Sequence, residues 1–585
     1  MLKKLNYIFS KQDKVKIVIL MVAMLIGSFM ELLGVAVFQP FVNIIMDQSI
    51  IKENVFLVWL NQIFSCETVE EFLTVVAVLI ILIYVIKNVY LWIMQYSIIK
   101  FTYNIQKKAA VRLLSTYLKE PYSFHLNNNI AVIQRSLQED TARFTQFLMH
   151  LLQMIAEVVI CIAIGIYLFN VSVSITVTVV GLMVVCVGVF TIINKSYAQR
   201  LGKESQAYMG KLFQWVNQAF GGIKEVKVLN REHFFLSSYK KYYELYVKAI
   251  RVHRMFSITP RYIVEAVSMT GMLIAIVIKL NFGQKDVIDF IPQLATFAVA
   301  AFRLLPSVGK ISDHMNNILF ARPSVNLIYE DLKSVEENAA AQRAEEGKKW
   351  SFNNLISAKH ITYAYPNTDK NILEDAECII PKGKTVAFIG SSGAGKTTMA
   401  DILLGLLTPQ QGKIEVDNID IFKNLTLWYS KLGYIPQVIY LSDDTIRNNI
   451  AFGIASEEID EQAVSEAINK AQLAEFVESL PEGLDTMVGD RGVRLSGGQR
   501  QRIGIARALY HNPEILMLDE ATSALDNDTE AAVMEAIESL HGSKTILIIA
   551  HRLTTIYKAD IIYEVVDQKI VKRTHEEVFG DSWRQ

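Results

Sequence analysis

Cysteine is nearly missing from this chain: there are four in 585 residues, Cys66, Cys161, Cys186 and Cys378. They lie far apart, with no C-x-x-C spacing and no Cys/His cluster, so neither a disulfide framework nor a structural zinc site is expected. A surplus of one sign of charge is missing too. Lys and Arg total 58 against 59 Asp and Glu, a formal net charge of −1, and this balance excludes the basic footprint of a nucleic-acid partner. What the chain does have is apolar sequence. Hydrophobic residues make up 51% and the mean hydropathy is +0.27, high for a soluble protein. The length exceeds what one core can use, so at least two domains are expected.

The apolar residues are gathered in the first half. Six runs come close to or exceed the ~20 residues that a spanning helix needs: 15–42, 72–99, 147–169, 171–194, 262–280 and 287–311. The opening Leu2, Lys3 and Lys4 resemble the basic start of a signal peptide. The run behind them is too long for a signal core and lacks a small-residue cleavage site, so it is expected to stay in the membrane. Lys11, Lys14 and Lys16 flank the first run on one side, and Glu53, Glu67, Glu70 and Glu71 occupy the loop beyond it. Basic residues gather again after the second run (Lys100, Lys107, Lys108, Arg112) and after the fourth (Lys195, Arg200, Lys203). The excess of Lys and Arg on the inner side places the N-terminus and both long loops in the cytoplasm. Each loop is helical in pattern and contains a short break, at 119–127 and at 221–232. Residues 1–330 are therefore expected to form a multi-pass membrane domain. Residues 331–350, rich in Glu, Ala and Lys without an apolar face, read as a linker, and 351–585 as an α/β domain with a mainly parallel sheet.

In that second domain an apolar strand at 385–389 meets a glycine-rich turn, and an amphipathic helix follows at once. The turn runs Gly390, Ser391, Ser392, Gly393, Ala394, Gly395, Lys396, Thr397, Thr398. Glycines let successive N–H groups point into one concavity, and the helix N-terminus adds positive potential, the construction of a phosphate cradle. Lys396 is placed to reach the outer phosphates and Thr397 to ligate Mg²⁺. A chance Gly/Ser loop would not have the strand before it and the helix after it.

Two further apolar strands end in groups suited to phosphoryl transfer. Residues 514–520 finish in Asp519, placed to hold Mg²⁺, and Glu520, placed to orient or deprotonate the attacking water. The strand at 545–550 leads into His551. A lone histidine is more often structural, but ligands of open α/β sheets gather at the carboxyl ends of the strands.

Leu495, Ser496, Gly497, Gly498 and Gln499, followed by Arg500 and Arg502, resemble the signature of the ATP-binding-cassette (ABC) transporters. In this family's terms Tyr365 resembles the aromatic residue that stacks on adenine, and Gln437 the residue that links Mg²⁺ to the membrane domain. Ser523 to Asp526 resemble the D-loop. The stretch from Val488 to Gly492 resembles the exporter-specific loop, with Asp490 where Glu is more usual. The resemblance implies an α-helical transmembrane bundle of six spans, of the type I exporter class, fused to an α/β P-loop cassette. It also implies ATP and Mg²⁺ as cofactors, with Glu520, His551 and Gln437 as catalytic residues. The signature then completes the site of an opposite cassette, so one chain is half a machine, and its undamaged motifs favour a homodimer. The two loop breaks then resemble coupling helices, and the expected location is the inner membrane with the cassette in the cytoplasm.

Cargo is not written in cassette motifs. Lys87 and Arg303 lie inside apolar runs, and Arg261 follows Pro260 at the start of the fifth. A basic residue at the centre of a span costs ~2.5–3.5 kcal/mol on insertion scales and is expected to face a cavity. Arg261 has the alternatives of snorkelling to the interface or pairing with Glu265. Three such cations suggest an anionic, phosphate-bearing substrate. Residues 54–65, with Phe56 and Trp59, suit a short interfacial helix contacting membrane lipid. These features together resemble the flippases of polyisoprenyl-pyrophosphate-linked oligosaccharides in bacterial N-glycosylation. Export of another lipid, drug or peptide and an ATP-gated regulator are the other readings.

Overall fold

The computed structural model describes residues 1–46, 51, 55–171, 173–282, 287–341, 351–366, 368, 370–489, 492–519, 527–550 and 556–580. Side chains are described for all of these except 2, 38–39, 46, 56, 171, 174–175, 178–180, 182, 186, 268, 272, 275–276, 278–282, 287–299, 301–303, 335–341, 527–530 and 532. The chain divides into two compact units, Met1–Glu120 with His125–Asn338, and Pro121–Phe124 with Ala339–Gln585.

Among its described residues the first unit contains helices joined by short turns and no strand. The helices along this part of the chain are α1 (Leu2–Ile8), α2 (Lys11–Ala36), α3 (Phe38–Met46), α4 (Val55–Phe64), α5 (Val69–Lys119), α6 (Tyr122–Asn127, with 122–124 grouped in the second unit), α7 (Ile130–Arg135), α8 (Thr141–Val171), α9 (Val173–Gly221), α10 (Ile223–Val228), α11 (Glu232–Phe282) and α12 (Val287–Ala341, with 339–341 grouped in the second unit). Local chemistry sets the helix starts. Ser10 caps α2 in a reciprocal box with Asp13, and Thr68 caps α5 in another with Glu71. Three stretches among the described residues are long and apolar enough to cross a membrane: Lys11–Ile45, Val69–Lys119 and Ile130–Asn170. At 51 residues, α5 is about 75 Å long at ~1.5 Å per residue, far beyond the ~30 Å of hydrocarbon. Its exposed Ile81, Val85, Val89 and Trp92 form an outward apolar face. The helix stops at Glu120, before Pro121, and the short α6 fills the first expected break; Gly222, outside helical geometry, separates α9 from α10 at the second.

A helix is present over the stretch expected to lie at the interface, as α4. Leu57 and Leu60 are buried with Ile44, Phe72 and Val76, whereas Trp59 is exposed. The helices α8 and α12 pack side by side. Ile160, Ile164 and Leu168 share a core with Ala300 and Leu304, and Lys310 meets Glu157 at 2.9 Å. At its far end α12 runs on through 331–341, part of the stretch expected as linker. Ala, Glu and Lys are strong helix formers, so a missing apolar face did not end the helix; residues 342–350 fall outside the described set.

Among the described residues the second unit holds two sheets. Strands β1 (Leu355–Tyr363), β2 (Leu373–Pro381), β4 (Gln411–Val416) and β5 (Ile419–Asp420) form an antiparallel sheet in the order β2-β1-β4-β5. Strands β3 (Thr385–Ile389), β6 (Leu432–Ile435), β7 (Ile515–Asp519), β8 (Thr545–Ile549), β9 (Ile561–Val566) and β10 (Lys569–Arg573) form the other, in the order β10-β9-β3-β8-β7-β6. Every contact in it is parallel except β9–β10. Strands β7 and β8 are buried at every position and β3 at all but its last. That is why they read as unbroken apolar runs rather than alternating ones.

Candidate functional site

Because β3, β8, β7 and β6 are parallel, their carboxyl ends share one edge of the sheet. Gly390 follows β3 there, Asp519 closes β7, and Gln437 lies two residues beyond β6. The phosphate-type turn joins β3 to α13 (Lys396–Leu403). Gly390, Gly393 and Gly395 adopt φ of +142°, +80° and +111°. At Gly390 the need for glycine is also spatial, since a Cβ there would stand 2.5 Å from the Val565 carbonyl oxygen. Ser391, Ser392 and Thr397 are exposed, while Lys396 and Thr398 are buried. The Lys396 ammonium curls back and donates to the carbonyls of Gly390 and Ser391, 2.9 Å from each. The Tyr365 hydroxyl lies 3.1 Å from Thr398 Oγ1, which ties Tyr365 to the turn.

The turn fits a polyphosphate: open backbone at three positive-φ glycines, a lysine over the loop, and a helix N-terminus beneath it. Exposed Thr397, the carboxylate of Asp519 and the exposed amide of Gln437 are oxygen donors of the kind that a hard divalent cation takes. Asp401, on α13, had no sequence signal. Burial and the nearby Asp519 carboxylate push its pKa up to about 6. Glu520 and His551 lie outside the described residues, as do the D-loop resemblance at 523–526 and Asp490.

Ser496 caps α14 (Gly497–Leu509), the signature helix. Its hydroxyl accepts from Gln499 N at 3.2 Å, and the Gln499 side-chain oxygen accepts from Ser496 N at 2.8 Å. Ser496 and Gly497 are exposed and Gly498 is buried. The signature is therefore a capped helix N-terminus open to solvent. A second device escaped sequence reasoning. Arg507 of α14 donates to the Tyr440 carbonyl (2.7 Å) and the Asn449 carbonyl (2.8 Å), tying α14 to the segment that carries Gln437. Gly504 lies against that segment, where a Cβ would meet Ile439 Cδ1 at 2.4 Å.

Two family models match. The ABC transporter transmembrane region covers residues 17–298, and the ABC transporter model covers 373–523, the stretch holding the phosphate turn, Asp519 and the signature. The chain belongs to the ABC transporters. It is an exporter half-transporter, with an ATP-binding cassette that couples ATP hydrolysis to transport. Among its relatives is an "ATP-dependent lipid A-core flippase" of Alkalilimnicola ehrlichii, 33% identical over 403 residues, which are 68% of this chain and 67% of that protein. Another is the mouse "ATP-binding cassette sub-family B member 10, mitochondrial", 31% identical over 398 residues, 67% of this chain and 55% of that one. A solved bacterial Atm1-family ABC exporter with ATP bound superposes with a TM-score of 0.78 at 22% identity, covering 95% of each chain. That likeness concerns the fold.

In the membrane unit of the half-transporter, the three basic residues singled out from sequence are not gathered by any described contact. Lys87 is buried, its ammonium 3.2 Å from Glu31 and 4.3 Å above the Tyr84 ring. Arg261 is exposed, packs against Gly309, and forms no ion pair with Glu265 among the described residues. The side chain of Arg303 lies outside the described residues. Glu157, buried against Lys310, was not picked out, although a carboxylate inside an apolar run was visible as such.

Proposed function

We propose that two copies of this exporter flip an anionic amphiphile across the inner membrane by alternating access, a polyisoprenyl-pyrophosphate-linked oligosaccharide being the substrate class that the sequence features favour. The division of labour proposed is a membrane domain over 1–330, a connection over 331–350 and a cytoplasmic cassette over 351–585. In each cassette Tyr365 stacks on adenine, residues 390–398 cradle the phosphates, and Thr397, Asp519 and Gln437 hold Mg²⁺, which neutralises charge on the transferring group. Glu520 positions the attacking water and His551 faces the γ-phosphate. Ser496, Gly497, Gly498 and Gln499 of one copy complete the site of the other. Helices α6 and α10 serve as coupling elements.

The observation that carries the nucleotide half is the shared sheet edge that holds the turn, Asp519 and Gln437. The substrate half is supported by Arg261, an exposed cation unpaired with Glu265 at the start of an apolar run. Lys87 has Glu31 as its partner in this arrangement and would have to exchange it for phosphate. A second reading, lipid A-core as cargo, is supported by relatives of that name.

Reconstitution in proteoliposomes with labelled lipid-linked oligosaccharide, and separately with labelled lipid A, tests the proposal. ATP-dependent movement of the first, reduced in Arg261→Ala at unchanged basal ATPase, is expected. Movement of lipid A alone selects the second reading, and movement of neither by an active ATPase refutes both. Mixing wild type with Ser496→Arg chains is expected to lower activity out of proportion to the mutant fraction; a linear fall refutes the composite site.

A further inference from the structure

Where α8 and α12 run side by side they carry, besides the Glu157–Lys310 pair, a cluster that the transport reading does not use. His150 of α8 and Asp313 and His314 of α12 bring one ligand atom each to within 4.8 Å of one another. The two histidines meet through their Nδ1 atoms, 2.9 Å apart. His314 is buried and the other two are half-buried. Two neutral imidazoles in this relation leave only one proton to share, and the carboxylate brings the negative charge that such a pair cannot supply.

A further layer supports the three. Asn317, one turn along α12, donates to the Asp313 carboxylate at 3.0 Å and to its backbone carbonyl at 2.9 Å. Its own amide oxygen faces His253 Nε2 of α11 at 3.2 Å. His253 is 6% exposed and stacks on Phe320, with ring centroids 3.9 Å apart. A half-buried carboxylate oriented by an amide, beside two imidazoles from facing helices, is the arrangement of metal ligands with their supporting hydrogen bonds.

We propose that His150, Asp313 and His314 bind a divalent transition-metal ion of the Zn²⁺ class. Two nitrogens and one carboxylate oxygen suit Zn²⁺ or Co²⁺ rather than Mg²⁺ or Ca²⁺, which take oxygen ligands. Three protein ligands leave a fourth position for water. With metal–nitrogen bonds of ~2.0–2.1 Å, tetrahedral coordination sets the nitrogens roughly 3.3 Å apart, so the imidazoles need only separate by a few tenths of an ångström. The ion would cross-link α8 to α12 beside the Glu157–Lys310 pair and hold the two helices in this packing.

The test is titration of the full-length protein, purified in detergent, with Co²⁺, read by visible absorption, and with Zn²⁺, read by competition and by the thermal unfolding midpoint. One equivalent of Co²⁺ per chain with tetrahedral bands, displaced by Zn²⁺, is expected, together with a rise in the midpoint. His150→Gln and His314→Gln should abolish both responses, and Asn317→Ala, which removes only the support of Asp313, should weaken binding ~10–100-fold. Asp313→Asn is the companion variant if a histidine replacement fails to fold. Absence of saturable Co²⁺ binding to wild type overturns the proposal. So does an unchanged spectrum and midpoint shift in folded His150→Gln, His314→Gln or Asp313→Asn, which would place the metal elsewhere and leave the histidines as a hydrogen-bonded pair.

Discussion

Replacing Asn449 by alanine isolates the device that joins the signature helix to the Gln437 segment. Asn449 is fully buried. Its Oδ1 accepts from Ser442 N at 3.0 Å, from the Ser442 hydroxyl at 3.2 Å and from Arg507 Nη2 at 3.1 Å. Its Nδ2 donates to the carbonyls of Ser442 and Thr445 at 3.1 and 3.0 Å. Not all of this is lost on truncation. The Ser442 carbonyl keeps Asp444 N, the Thr445 carbonyl keeps the backbone N–H of residue 449, and Arg507 keeps two backbone carbonyls. What loses its partner is the Ser442 N–H, the more easily hydrated Ser442 hydroxyl and one arm of the Arg507 guanidinium. An orphaned buried donor costs ~1–3 kcal/mol and a hydrogen bond to a charged group contributes ~1.5–3 kcal/mol, so about 2–4 kcal/mol is expected after partial access of water to Ser442. For a unit of this size that corresponds to a fall of roughly 5–12 °C in the cassette's unfolding midpoint. Thermal unfolding of the full-length exporter, with and without ATP, measures it. Steady-state ATPase should fall as well, because the Gln437 segment loses its tie to α14, while ATP still protects against unfolding through the intact phosphate turn. A midpoint within about 1 °C of wild type, with unchanged turnover, would refute the reasoning.

Other consequences follow from single contacts. Lys87→Met removes the cation 3.2 Å from buried Glu31 and should cost up to about 3–5 kcal/mol, whereas the double variant Glu31→Gln/Lys87→Met should recover most of it; thermal unfolding in one detergent compares the three. Lys396→Ala removes the ammonium held over the turn and should weaken ATP binding itself, seen as a rise in Kd by equilibrium titration. Asp401 has a folded pKa raised from 3.8 to about 6, chiefly by burial. The folded state therefore holds this proton more tightly than the unfolded one, and the stability linked to it is full below the unfolded value and lost as pH rises through about 6. Asp401→Asn should flatten that part of the pH–stability curve, and an identical slope in the two proteins would show that other groups set it.

The local elements of this exporter are largely determined within short windows of sequence. The strands at 385–389, 515–519 and 545–549 coincide with unbroken apolar runs, since a parallel sheet covered on both faces admits nothing else there. The first loop break, at 119–127, is likewise local, because Pro121 has no N–H to donate and restricts the residue before it. The phosphate turn is legible for the same reason: its glycines are needed for backbone angles that belong to the turn itself. Residues 331–341, read as a linker for want of an apolar face, continue helix α12, because their Ala, Glu and Lys favour a helix whether or not one face is apolar. What only the tertiary structure decided is which distant side chains meet. Lys87 lies 56 residues from Glu31, Glu157 lies 153 from Lys310, and His150 lies 164 from His314. A helix period says which residues share a face, but the azimuth and axial register of one helix against another come from packing summed over the whole contact. The partner of a buried charge is therefore fixed by that packing and has no signature in the segment that carries the charge.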